Sequence, residues 1–403
     1  MPYSTKGTRL LRNPLAASAY SIPIYVSSAS QEDQKRMSWL QKAAHKEIRC
    51  SFLDNNTPYI TPAFSCTPPA GSGVSSTGVS TPTPTPWPEH TVSNQEPLDP
   101  YSVNMMHLEL FDNLFSEECC SIEEPGRPDL MTTRIYARHA LTNPYLMHQM
   151  LATSALHLST TKTDTRSTYR EYATGLQNRA LCLFNEANPV LEVTRANCVR
   201  MFLFSSGVGL HLLCETLHYQ RDSLESFVDR FTHCLSVYRG MLAVIDESRD
   251  LLLESELGPR LKLTQALMET RDANGSECDI LGTMVNTAVI ASCSRKAYQE
   301  SISHLQRVFN AQRAAAGTKI AVPTVLAWPA LVPSEYVDLL RHRQPEALII
   351  LAHYAVLLHR CRDLWLFGDS GRFLIESICR DLGSQWQEWL KFPNAALGEN
   401  SGT

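Results

Sequence analysis

From about Tyr101 to Leu397 the large apolar residues return every three or four positions, and no run alternates with a period of two between turn residues. A half-buried strand needs that alternation, whereas a helix needs the longer period. The pattern restricts this part of the chain to the all-α class and predicts a globular array of about ten helices. Local signals place several of them. Asn143-Pro144 offers a cap residue and a proline at the first helical position, and Met147, Met150, Leu151, Ser154 and Leu158 follow at helical spacing. Tyr169, Tyr172, Ala173, Leu176, Ala180, Leu183 and Phe184 make the next stripe, closed by Asn188-Pro189. Further helices are predicted from Thr194 to about Cys214, along Leu224 to Ile245, from Leu281, from Pro345 to about Asp363, and from Phe373 to Leu390. The last would carry Leu374, Ile378, Leu382, Trp386 and Trp389 on one face.

The chain before this region is different. Residues 51–100 hold ten of the 23 prolines, around "GSGVSSTGVSTPTPTPWP". Such a segment buries too little apolar surface to offset the entropy of ordering it, so a disordered linker is expected. Residues 1–50 form a basic arm with little that folds alone. Its first 31 residues carry Lys6, Arg9 and Arg12 and no acid, which suits a mitochondrial transit peptide, but Pro14 and Pro23 interrupt the helix such a peptide needs. Three segments result: the arm 1–50, the linker 51–100 and the helical region 101–397.

Lys and Arg number 36 against 41 Asp and Glu, a net charge of −5. A domain that grips DNA by itself is normally basic, because neutralising phosphates and releasing counterions drives affinity. The 12 cysteines include no C-x-x-C. Cys182, Cys198, Cys234 and Cys379 fall in apolar helical runs and read as reduced core residues. The longest apolar stretch, Ala347 to Leu358, is too short for a bilayer, so no membrane span is expected.

Chemical motifs fail on inspection. Gly368-Asp369-Ser370-Gly371 matches the surroundings of a serine-protease nucleophile, but that chemistry needs a β-barrel and a His–Asp pair. Between two helices these residues read as cap residues. Gly207-Val208-Gly209 lacks the third glycine of a nucleotide fingerprint, since Leu212 stands there, and no strand precedes it. His139, His148 and His157 are nine apart and do not stack on one helix face. No catalytic residue, metal ligand set or cofactor is predicted, and the chain is expected not to be an enzyme.

The C-terminal stretch "WPALVPSEYVDLLRHRQPEALIILAHYAVLLHRCRDLWLFGDSGRFLIESICRDLGSQWQEWLKFP", residues 328–393, carries a resemblance. A Trp-Pro opens it. A helix beginning Gln344-Pro345-Glu346-Ala347-Leu348 runs on into Leu-Ala-His-Tyr-Ala-Val-Leu-Leu. Then come Trp365, a Gly-rich turn, Leu374-Ile375-Glu376 and a closing Trp386-x-x-Trp389-Leu390. "MMHLELFDNLFSEE" and "ALTNPYLMHQMLATSALHLS" add an opening helix and a Pro-helix ending Ser-Ala-Leu-His-Leu. Together, over about residues 101–397, these resemble the regulatory domain of fungal zinc-cluster (Zn2Cys6) transcription factors similar to sterol uptake control proteins.

The resemblance implies a nuclear transcription regulator controlling a metabolic gene set, with sterol-related and secondary-metabolite genes both open. In that family a six-cysteine cluster precedes the linker. Here only its last cysteine is matched, by Cys50 with Ser51-Phe52-Leu53 after it. Cys50 is either a remnant of that cluster or an isolated thiol, and one thiolate cannot hold the metal. DNA is therefore expected to be bound only weakly or through a partner transcription factor. A lipid or sterol ligand and a homodimer are further partners left open. The alternative function is a small-molecule (lipid or sterol) sensing module acting through a DNA-binding partner. By the same resemblance, Leu366, Phe367, Gly368 and Phe373 are the candidate edge of its ligand pocket.

Overall fold

The computed structural model describes residues 103–120, 131–190, 192–247, 249–269, 275–314 and 322–398. Within these residues the chain forms sixteen α-helices and no strand, so the fold is all-α. Short helices such as Glu117–Cys120 and Arg249–Glu254 raise the number above the ten expected; they are too brief to show a periodic stripe. The arm 1–50 and the linker 51–100 lie outside the described residues.

The first helices are α1 (Met105–Asn113), α2 (Glu117–Cys120), α3 (Met131–Ala140), α4 (Pro144–Thr161), α5 (Arg166–Ala187) and α6 (Cys198–Tyr219). Helices α4, α5 and α6 run up, down and up. At one end Phe184 of α5 stacks on Phe204 of α6 at 4.2 Å, and Tyr145 of α4 meets both rings edge-on. At the other end the Tyr219 hydroxyl donates to the Ser159 carbonyl at 3.1 Å. There Arg170 lies 4.2 Å over the Tyr219 ring and pairs with Glu215 at 3.0 Å. The α5 stripe of Tyr169, Ala173, Leu176, Ala180 and Phe184 is buried as its spacing predicts, while Tyr172, which shares that spacing, is exposed. Helix α1 is pinned to α4 by the buried Leu110 and by polar contacts. Asn113 Nδ2 donates to Ser154 Oγ at 2.8 Å, and Ser154 Oγ donates to the Leu110 carbonyl at 2.6 Å.

Helix α6 begins four residues later than the sequence suggests, after a turn closed by the Cys198 N–H on the Thr194 carbonyl. Among the described residues it is the one helix long and apolar enough to cross a membrane, and 56% of that apolar window is buried inside the fold. The described cysteines are free thiols; Cys198 and Cys234 are buried as expected, Cys379 is half-buried, and Cys182 is exposed.

The remaining helices are α7 (Leu224–Glu247), α8 (Arg249–Glu254), α9 (Gly258–Met268), α10 (Asp279–Thr287), α11 (Ser292–Ala314), α12 (Val322–Leu331), α13 (Ser334–Arg341), α14 (Pro345–Arg360), α15 (Ser370–Leu382) and α16 (Lys391–Ala396). Every residue of α14 from Ala347 to His359 is buried. A helix apolar on all sides must be covered on all sides: α10, α11, α13, α15 and α16 pack around it, and Phe231 of α7 meets its Tyr354. The aromatic rings form a column through this core. Tyr336 meets Trp328 at 5.7 Å, Trp328 stacks on Tyr354 of α14 at 4.4 Å, and Tyr354, Phe231, Phe227 and Phe373 continue the line.

Trp328-Pro329 makes sense in this setting. Pro329 lies inside α12, where it has no N–H to offer the Val325 carbonyl four residues earlier. The Tyr354 hydroxyl takes that place, donating to the Val325 carbonyl at 3.3 Å. The Trp328 indole N–H donates to the Ser301 carbonyl at 3.0 Å, so neither buried ring loses its hydrogen bond.

Two helix ends differ from the sequence expectation. Helix α14 stops at Arg360, not Asp363, and α15 runs from Ser370 to Leu382, not from Phe373 to Leu390. Gly383, at φ +73°, ends α15 in a conformation that only glycine adopts cheaply. Trp386 and Trp389 therefore leave the α15 face; they lie half-buried in and beyond a 3₁₀ turn, Ser384–Trp386.

Candidate functional site

Residues 361–369 connect α14 to α15 as a chain of turns, and the four pocket-edge candidates sit at its end. Leu366 and Phe367 are fully buried, Gly368 is half-buried and Phe373 is half-buried on the first turns of α15. The structure brings them against the C-terminal end of α6. The His218 Nε2–H donates to the Leu366 carbonyl at 3.1 Å. Burial and the nearby Arg221 cation keep His218 below its ordinary pKa, so it is a neutral donor here.

Arg221 ties the junction together. It hydrogen-bonds the Leu217 carbonyl, pairs with Asp369, and lies 5.5 Å from the centre of the Phe373 ring. Phe373 in turn packs on Phe227 of α7 at 5.8 Å. Burial pushes the Asp369 carboxyl upward, but the Arg221 hydrogen bond and charge outweigh it and leave the group below its ordinary value. Asp369 occupies the cap position of α15, yet its side chain makes no cap hydrogen bond, because Arg221 holds it. At this junction Arg221 Nη2 and Ser370 Oγ are buried and have no hydrogen-bond partner among the described residues. Ser370 is 0% exposed, which places the serine of the protease-like tetrapeptide in the packed start of a helix.

Gly368 has φ +48°, the left-handed turn that its place between apolar runs predicts. A Cβ there would also stand 3.0 Å from His218 Cε1. Gly368→Val is expected to lower stability by about 1 kcal/mol or more, through the left-handed backbone alone. Thermal melts of the two proteins check this; an unchanged melting temperature would mean that the turn adopts another conformation.

Sequence reasoning missed Gly371, the tightest contact of the junction. A Cβ on Gly371 would lie 2.3 Å from the His359 nitrogen and 2.5 Å from the Ala355 oxygen. The first turn of α15 thus rests backbone to backbone on α14. The only sequence signal was indirect: an apolar helix with Ala352 and Ala355 on it needs a small residue on some neighbour.

The arrangement ties the C-terminal end of α6 to the start of α15. No group of three or more His, Cys, Asp or Glu among the described residues is placed to hold a metal ion. Cys50 lies outside the described residues. A groove of about 520 Å³ lies elsewhere, beside α10, α11 and α16, and none of the four pocket-edge candidates lines it. Compared with known proteins, the chain matches no protein-family model and no curated protein sequence.

Proposed function

We propose that this chain is a nuclear, non-enzymatic transcription regulator of the fungal zinc-cluster type, acting through its helical region. It reaches DNA weakly or through a partner transcription factor, because its sequence holds one cysteine of the six the cluster needs. One observation supports the reading most: the separate segments that carry the resemblance meet in one core. Trp328 of the opening Trp-Pro stacks at 4.4 Å on Tyr354 of the apolar helix that follows. The opening segment joins them, since the Trp365 indole donates to the Cys119 carbonyl at 3.3 Å and its ring meets His157 at 5.1 Å. The test is a reporter assay in yeast, with the full chain fused to an unrelated DNA-binding module. The expected result is a change in output of about tenfold, up or down, relative to the module alone. Equal output from equal nuclear amounts of fusion and module would sink the reading.

A second reading, a lipid- or sterol-sensing module acting through such a partner, is favoured by Phe373. It is the pocket-edge candidate whose side chain is only half-buried, and it touches α7 and Arg221 together. Phe373→Leu is expected to change reporter output between sterol-replete and sterol-depleted cells while the melting temperature moves little. Output unaffected by both the substitution and the depletion removes this reading and leaves the first standing.

A further inference from the structure

We infer that the groove at the start of α16 is a binding site for an amphipathic monoanion: a single carboxylate carried on a compact aromatic or aliphatic body. The site goes beyond the regulator reading and does not depend on it. The groove has a volume of about 520 Å³. That falls within the rough 300–1,000 Å³ range of small-molecule sites. It lies between the loop leading into α10, the C-terminal end of α11 and the first residues of α16.

One wall is fixed in advance. Gln306, Asn310 and Arg313 stand at helical spacing along one face of α11 and strap the loop Gly275–Cys278 down. Gln306 Oε1 accepts from the Cys278 N–H at 2.9 Å, and Gln306 Nε2 donates to Glu277 at 2.9 Å. Asn310 Oδ1 accepts from the Gly275 N–H at 3.2 Å. Arg313 pairs with Glu277, and Gly275 covers that pair so closely that a Cβ would fall 2.2 Å from atoms of both. Burial raises the Glu277 carboxyl, but the hydrogen bonds from Arg313 and Gln306 outweigh it, so it stays ionised. This wall therefore presents a neutralised ion pair.

Lys391 and Phe392 complete the lining. Lys391 is exposed, and its ammonium has no ion-pair partner among the described residues. With Glu277 and Arg313 cancelling, Lys391 leaves the groove one net positive charge. Beside it, half-buried Ile280 and Phe392 supply apolar surface. Phe392 is backed by the core: it meets buried Phe309 at 5.9 Å and lies 5.6 Å from buried His353 of α14. A monoanion satisfies the lone ammonium, and its apolar body covers the exposed side of Phe392. A neutral molecule leaves the ammonium unpaired, a cation is repelled, and a dianion brings a second charge with no partner.

The test is calorimetry on the full chain with 2-naphthylacetate and its uncharged counterpart 2-(2-naphthyl)ethanol. The acid is expected to bind about tenfold or more tighter than the alcohol, the effect of one charge-assisted hydrogen bond. Lys391→Met, at an exposed position, should leave the melting temperature unchanged and bring the acid down to the alcohol's affinity. Lys391→Arg should restore the preference. Equal binding of acid and alcohol, binding by neither, or acid affinity unchanged in Lys391→Met each overturns the assignment. None of these outcomes bears on the reporter assay, so the two readings fail separately.

Discussion

Acidification from about pH 7 to about pH 4 is expected to unfold the helical region, and buried histidines are the main cause. His157, His211 and His353 are at most 3% exposed. Burial lowers their pKa to about 4, about 3 and about 4. Each is therefore neutral in the fold at any pH where an unfolded chain would begin to protonate it, near 6.5. Between those values the unfolded state binds more protons, so stability rises with pH and is lost as pH falls from about 6.5 toward 4. Each histidine then costs about 3 kcal/mol by pH 4, and three together reach on the order of 10 kcal/mol. That matches the whole stability of an ordinary domain, about 5–15 kcal/mol. The geometry agrees with the direction. His353 donates from Nδ1 to the Ile349 carbonyl at 2.9 Å, and its Nε2 lies buried with no partner to receive a second proton's charge. Denaturant midpoints measured down a pH series should fall steadily below about 6.5, and His353→Met should flatten the fall by roughly a third. A midpoint that stays level to about pH 4.5 would show that the fold accommodates the imidazolium ions.

The second large effect belongs to Gly371. Valine there would drive a methyl-bearing Cβ into the backbone of α14, where His359 and Ala355 atoms stand at 2.3 and 2.5 Å. Backbone cannot rotate aside as a side chain can, so α15 must lift from the core. Overpacking costs about 1–3 kcal/mol where side chains yield, and backbone contact puts this case at about 3 kcal/mol or more. For a domain of this size the melting temperature should drop by roughly 6–12 °C. Gly282, inside α10, has nothing within 4 Å of its missing Cβ. Gly282→Ala is expected to stabilise by about 0.5–1 kcal/mol, because alanine loses less entropy on entering a helix. Thermal melts of both variants separate the two glycines; a Gly371→Val protein as stable as the parent would falsify the close approach.

The two glycines show where the sequence stops being legible. Periodicity located the helices whose buried face is long and regular, such as α5, α7 and α14. The helix α11, of 23 residues, was not among those expected, although Tyr298, Ile302, Leu305 and Phe309 stand at helical spacing on its buried face and made it equally legible. Pro329 hides α12 from the sequence, because a proline normally ends a helix. The compensating hydroxyl comes from Tyr354, 25 residues farther on, and no local rule reports it. Gly368 was legible, since a glycine between apolar runs at a turn carries its own reason. Gly371 was not, because a close approach belongs to the partner helix as much as to the glycine. The groove was hidden for the same cause: Glu277, Arg313 and Lys391 are distant in sequence and meet only through the packing of α10, α11 and α16.

The burial of α14 on every side has a consequence for the order of events during synthesis. The helices that cover it begin with α10 at Asp279, while α14 itself is made only from Pro345 onward. At ribosomal speeds of about 5–20 residues per second, the interval is several seconds. For that time α11 and α13 lack the axis they are set against, whereas α7 already has α6 to pack on. The helices α4–α6, which meet within their own group and α7, have no such wait. The nascent chain is thus expected to settle its first half early and to hold the second half in a chaperone-dependent state until the axis emerges.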